Sequence, residues 1–200
     1  MECYRVMTSS ADAKAALRAR LRAELKAHSS ASAASASAAL CVRMRASPIW
    51  QTARAVLLFF PLPSEPDISL LLDDALASGK LFALPRFNAT THTYEAVQVR
   101  DLGRELVTGP FGVREPTAQC PLVPMNRLDL ALVPGLGFDA CGHRLGRGKG
   151  HYDRLLVGFT GMKIGVVFDF QIVTEVPAEP HDIVLDAVVT PTRWVTAKRD

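Results

Sequence analysis

Residues 56–84 read VLLFFPLPSEPDISLLLDDALASGKLFAL. Val56 to Phe60 is an unbroken apolar run that stops at a proline-rich turn, the pattern of a short buried strand. From Asp67 to Ser78, the side chains of Ile68, Leu71, Leu72, Ala75 and Leu76 fall on one face of a helix. Gly79 stands where such a helix stops. Leu81 to Leu84 is a second buried run. Strand, helix and strand within about 30 residues form a βαβ unit, and a crossover of that kind joins parallel strands.

The alternation continues toward the carboxyl end. Leu128 to Val133 reads as a buried strand stopped by Pro134, Tyr152 to Val157 starts a helix, and Lys163 to Phe168 and Ile183 to Thr190 are the last strands. Tyr94 to Val99 is weaker strand material. Gly103 to Pro124 is broken by glycines and prolines and reads mostly as loop. Toward the amino end, Asp12 to Ala46 has no Gly or Pro and is rich in Ala, Leu and Arg, a helical composition. Leu17, Leu21 and Leu25 recur every four residues as one apolar stripe. The Ala/Ser run from Ser29 to Ser37 is either a weak helix or a break between two helices, and Pro48 ends the region. The expected fold is α/β: a mostly parallel or mixed sheet flanked by helices in a Rossmann-like three-layer arrangement, with a long N-terminal helical segment. One domain is expected over residues 1–200, with 1–50 packed on it.

Apolar residues make up 48% of the 200, enough for a sizeable core. The longest apolar stretch, Ala53 to Leu62, contains Arg54 and is far shorter than the roughly 20 residues of a membrane span. A soluble protein without a membrane partner is expected. Net charge is +3, yet residues 1–54 hold nine basic and three acidic side chains. The basic arm reads as a solvated helix face, with phosphate contact or organelle targeting as alternatives. Glu2, Asp12 and Glu24 fit an acid-poor targeting segment badly. Aromatic content of 7% and the lack of a recognised motif argue against a nucleic-acid partner. Cys3, Cys41, Cys120 and Cys141 form no C-x-x-C pair, and Met1 to Ser10 is too polar for a secretory signal. A reducing cytoplasm is the expected location, with the mitochondrion as the alternative.

The stretch that carries chemistry is residues 133–156, VPGLGFDACGHRLGRGKGHYDRLL. It leaves a buried strand, passes through glycines and cations, and enters a helix. In open α/β sheets, ligands bind beyond the carboxyl ends of the strands. Gly146, Gly148 and Gly150 alternate with Arg147 and Lys149. Such glycines let backbone N–H groups turn toward an anion, the helix start adds its own N–H groups, and Arg144, Arg147 and Lys149 add full charge. The segment is neither a Walker loop, which needs Gly five places before G-K and Ser or Thr after it, nor the G-x-G-x-x-G dinucleotide fingerprint. Spacing alone leaves two readings: an anion-binding loop suited to a polyphosphate, or a tight surface turn with solvated arginines. His28, His92, His143 and His181 have no metal-ligand spacing, and no Ser/His/Asp nucleophile pattern is visible.

The words PGLGFD at 134–139, GHRLGRGKG at 142–150 and the pair Tyr152-Asp153 closely resemble the signature of the 5-formyltetrahydrofolate cyclo-ligases, also called methenyltetrahydrofolate synthetases. A looser resemblance covers most of the chain. It includes Lys-x-x-x-Arg near the start, a Glu after the first strand, LPR after the second and EP in the central loop.

The resemblance implies an ATP- and Mg²⁺-dependent ligase that converts 5-formyltetrahydrofolate to 5,10-methenyltetrahydrofolate, with ADP and phosphate released. The formyl oxygen is phosphorylated and N10 closes the ring. ATP would be bound by Lys14 and Arg18, which share a helix face, and by Arg144, Leu145, Gly146, Arg147, Gly148, Lys149, Gly150, His151 and Tyr152. Arg147 and Lys149 would be the catalytic cations. Reduced folate would be bound by Glu65 and by the same loop from Arg147 to Tyr152, with Phe111 placed against the pterin. Mg²⁺ would be held by Asp153 and Asp182. A monomer is expected. The chain departs from the family pattern at His151, where the family usually has the first of two tyrosines. Two other classes compete: a diverged relative without activity, and another phosphate-handling α/β enzyme such as a sugar-phosphate isomerase.

Overall fold

The computed structural model describes residues 9–110, 112–179 and 182–198. Phe111, His181, Cys3 and the segment before Ser9 lie outside the described residues. The helices are α1 (Ser10–Ala27), α2 (Ser30–Arg45), α3 (Pro48–Thr52), α4 (Ser69–Ala77) and α5 (His151–Leu155). The first six strands are β1 (Ala55–Leu57), β2 (Leu81–Asn88), β3 (Thr93–Gln98), β4 (Leu106–Thr108), β5 (Arg114–Pro116) and β6 (Leu130–Pro134). They are followed by β7 (Gly137–Phe138), β8 (Arg144–Leu145), β9 (Met162–Val166), β10 (Ala187–Val189) and β11 (Trp194–Thr196).

Seven strands form the central sheet in the order β11-β10-β9-β6-β1-β2-β3. The five inner strands run parallel, with Val56 opposite both Phe82 and Leu130. Each edge strand is antiparallel to its neighbour. The sheet is therefore mixed and mostly parallel, as the apolar runs implied.

Period-two alternation sends side chains to two cores. Val56, Phe82, Leu132, Ile164 and Val189 pack on one face with Leu40 and Met44 of α2, Trp50 of α3, and Leu71 and Leu72 of α4. Leu57, Ala83, Ala131, Val133 and Val188 pack on the other with Phe138, Leu155, Leu156 and Phe159. The result is three layers. A third small cluster joins Leu21 of α1 to Leu136, Leu145 and Val176, with Leu17 and Leu25 beside it. The leucine stripe thus faces the loop after β6 and does not lie on the sheet.

Several expectations need correction. Asp12 to Ala46 is two helices, because the backbone turns extended at His28 and Ser29. The Ala/Ser run is helical: Ser29 Oγ accepts the Ser32 N–H, and Ser37 Oγ donates to Ala33 O and accepts the Asp67 N–H. Pro48 opens α3 at its first position, where a missing N–H costs nothing. The last helix of the motif covers His151–Leu155, five residues only, so its dipole contributes little to anion binding. Gly103 to Pro124 contains the hairpin of β4 and β5. No helix among the described residues is long and apolar enough to cross a membrane.

Candidate active site at the topological switch point

β1 leads through α4 to β2 on one side, while β6 lies on the other side of β1 and leads through α5 to β9. The loops leaving β1 and β6 diverge, and a crevice opens between them. A cleft of about 850 Å³ occupies this place. Its walls include Phe59, Phe60 and Glu65 after β1, Arg144 to Arg154 after β6, Lys14 and Arg18 of α1, Tyr94, Glu115, Glu179 and Asp182. All the site residues expected from sequence and described by the structure line this cleft.

The loop after β6 is folded by its own buried groups. The Asp139 carboxylate accepts N–H bonds from Cys141, His143 and Val176 and bonds the His143 ring at 2.9 Å. Gln171 donates to the carbonyls of Gly135 and Leu136. β7 and β8 then pair, which delivers Arg144 to the cleft. Arg144 is 6% exposed, and its Nη2 donates to both oxygens of Asp153 at 2.8 and 2.9 Å. Its guanidinium also lies over the Tyr152 ring, 5.6 Å from the centroid. Gly146 leaves room for it, since a methyl there would meet Nη1 at 2.9 Å. Gly148 has φ +106° and Gly150 φ +61°, conformations that L side chains rarely adopt. The glycine alternation therefore serves the backbone path of the turn.

Helix α1 clamps this turn from outside. Arg18 Nε donates to Gly146 O at 3.0 Å, and Arg22 Nη2 reaches Arg147 O at 3.5 Å. Lys14 Nζ pairs with Asp182 at 2.7 Å and Glu179 at 3.3 Å. Burial acts to lower the Lys14 pKa, but these two carboxylates outweigh it and the net displacement is upward. On the opposite wall, Arg147 donates to Ser64 Oγ at 2.9 Å and to Glu65 Oε1 at 3.1 Å. Glu65 also accepts the Leu62 N–H. Burial pushes the Glu65 carboxyl up from its ordinary value, against the pull of Leu62 N–H and Arg147. Burial likewise drives the Tyr152 hydroxyl well up, with Glu65 adding to the effect. Tyr152 stays a neutral donor.

The His151 ring stands edge-on to Tyr94 at 5.0 Å, with Phe87 beyond at 6.2 Å. Its pKa is lowered by burial first, then by Arg154 and Lys149. The imidazole thus forms an aromatic wall of the cleft, with its charged form disfavoured.

Both proposed magnesium ligands line the cleft, each engaged by a cation: Asp153 by Arg144, Asp182 by Lys14. Among the described residues no three His, Cys, Asp or Glu side chains gather as a metal site. Mg²⁺ commonly takes one or two protein carboxylates and completes its shell with water and phosphate oxygens, so this donor set suits it. Sequence reasoning missed Arg22, Ser64 and Glu179, and it noted Glu115 only as part of the EP in the central loop, with no role. Of the three missed, Arg22 had a signal, as the next member of the series Lys14, Arg18.

A sequence model of the 5-formyltetrahydrofolate cyclo-ligase family matches residues 10–191. A Mycolicibacterium smegmatis protein named 5-formyltetrahydrofolate cyclo-ligase is 38% identical over 153 residues, covering 74% of this chain and 79% of the relative. One of that name from Escherichia coli K12 is 33% identical over 159 residues, covering 76% and 85%. The NMR structure of Aquifex aeolicus 5,10-methenyltetrahydrofolate synthetase superposes with a TM-score of 0.83 at 29% identity, covering 94% of both chains.

Proposed function

Because the chain belongs to the 5-formyltetrahydrofolate cyclo-ligase family, we propose that its cleft binds ATP along the 144–152 turn and a reduced folate on the Glu65 side. The chain is an enzyme, an ATP-dependent ligase of folate metabolism. One observation carries the placement of substrates. The Arg147 side chain bonds Glu65 while its own backbone belongs to the cationic turn, so one residue links the two halves of the cleft.

The chemical problem is an N-formyl group, whose carbon amide resonance makes a poor electrophile and whose oxygen is a poor leaving group until it is phosphorylated. Transfer of the ATP γ-phosphoryl group to that oxygen breaks the bond to ADP and leaves an electrophilic formyl carbon. N10 of the same folate attacks this carbon, the phosphorylated oxygen departs as phosphate, and N10 loses its proton. No protein nucleophile is required. Lys149, Arg147 and Lys14 supply charge to a transfer that depends on positioning and electrostatics. Arg18 and Arg22 hold the turn through its carbonyls. Neutral Tyr152 and His151 close the folate side and exclude water. Asp153 and Asp182 would hold Mg²⁺, which would offset triphosphate charge. The described cysteines, Cys41, Cys120 and Cys141, are free, which supports a reducing, cytoplasmic setting. One chain supplies both walls, which supports a monomer.

Purified protein given ATP, Mg²⁺ and 5-formyltetrahydrofolate should develop the absorbance of the methenyl product. Its absence would overturn the proposal. Lys149→Ala should raise the KM for ATP about tenfold or more, the cost of one charge-assisted contact, with the melting temperature unchanged.

A further inference from the structure

Glu115 has no part in the chemistry above, yet it is a carboxylate only 4% exposed in the wall of the cleft. Its hydrogen-bond partners among the described residues are neutral. Oε2 accepts the Phe87 N–H at 3.0 Å, and Oε1 faces the Tyr94 hydroxyl at 3.5 Å. No arginine, lysine or histidine forms an ion pair with it among the described residues. A carboxylate offers about four lone-pair sites, so each oxygen keeps acceptor capacity. The fold makes room for it: a methyl at Gly109 would meet the Glu115 side chain at 2.5–2.9 Å. Burial and Glu115 push the Tyr94 hydroxyl up to about 12, so it remains protonated. Its partner Tyr94 stands edge-on to two further flat side chains, Phe87 and His151, the three ring centroids lying 5.0–6.2 Å apart.

A buried carboxyl with spare acceptor sites is satisfied when a ligand supplies N–H donors. Aromatic walls beside it select a flat heterocycle. Resting on the assignment of this side of the cleft to the folate, we infer that Glu115 is the specificity residue that reads the paired N–H donors of the pterin, its ring N3–H and 2-amino group. Those two donors lie on one edge of the ring and point the same way, the match for two carboxylate oxygens.

The test is a binding titration of 5-formyltetrahydrofolate against its 2-desamino analogue, followed by calorimetry in wild type and in Glu115→Gln. Wild type should favour the amino compound by roughly ten- to a hundredfold, the worth of a charge-assisted bond. In E115Q that ratio should fall toward one, with the KM for ATP unchanged. If E115Q does not melt cooperatively, Glu115→Asp, which keeps the charge but withdraws it by one methylene, replaces it with the same expectation. Equal binding of the two compounds by wild type, binding of neither, or an undiminished ratio in the variant overturns the assignment. Turnover to the methenyl product is scored separately. Its absence with the ratio intact would sink the reaction while leaving Glu115 as the pterin reader.

Discussion

Two cleft residues, Glu65 and His151, have charged forms that their surroundings disfavour, and each makes pH a probe. Glu65 has its carboxyl displaced upward, chiefly by burial. The stability it contributes is therefore full below the ordinary glutamate range and is lost as pH rises through the displaced value. Glu65→Gln should melt higher than wild type at pH 8, with the gap closing toward pH 4. Its affinity for reduced folate should fall about tenfold. A variant that melts lower at pH 8 would show the Arg147 ion pair outweighing burial. His151 is displaced the other way. Its contribution is present above the ordinary histidine range and is lost as pH falls through the lowered value. His151→Tyr should flatten the melting temperature between about pH 7 and 5, read by calorimetry across that range. An unchanged slope would place the acid sensitivity elsewhere.

At the scale of elements, α1 is the part most exposed to test. It meets the rest of the protein through Leu21, which is fully buried, and its neighbours Leu17 and Leu25. Leu21→Ala should cost about 2–5 kcal/mol in denaturant unfolding. The KM for ATP should rise several-fold, since Lys14 and Arg18 ride on the same helix. The inner strands were legible because strands covered on both faces are continuous apolar runs. β2 extends to Asn88 beyond the readable run, because Arg86 and Asn88 belong to a half-exposed antiparallel ladder with β3. β4, β5, β7, β8 and β11 have two or three residues each, too few to show a period. The cationic turn was legible from its composition. Glu179 was not, and Glu115 was visible only within the EP of the central loop, since the significance of both comes from partners far away in sequence.

For the whole molecule, the cleft joins segments from α1, the β1 loop, the β6 loop and the stretch before β10, so a ligand that fills it ties the layers together. MgATP at about a hundred times its Kd should stabilise the protein by about 2.7 kcal/mol. That corresponds to roughly 5–10 °C in melting temperature for a chain of this size. Chelation of the magnesium should reduce the shift, and a melt indifferent to MgATP would argue against a nucleotide in the cleft. The Lys14–Asp182 bridge spans 168 positions of the chain. During synthesis the ammonium is made long before its counter-charges at 179 and 182. The nascent polypeptide can lay down β1, β2, β3, β6 and β9 before it can seat that lysine, but not β10. A chain halted between β9 and Glu179 would carry those five strands while Lys14 still lacked both carboxylates and that wall of the cleft was unfinished.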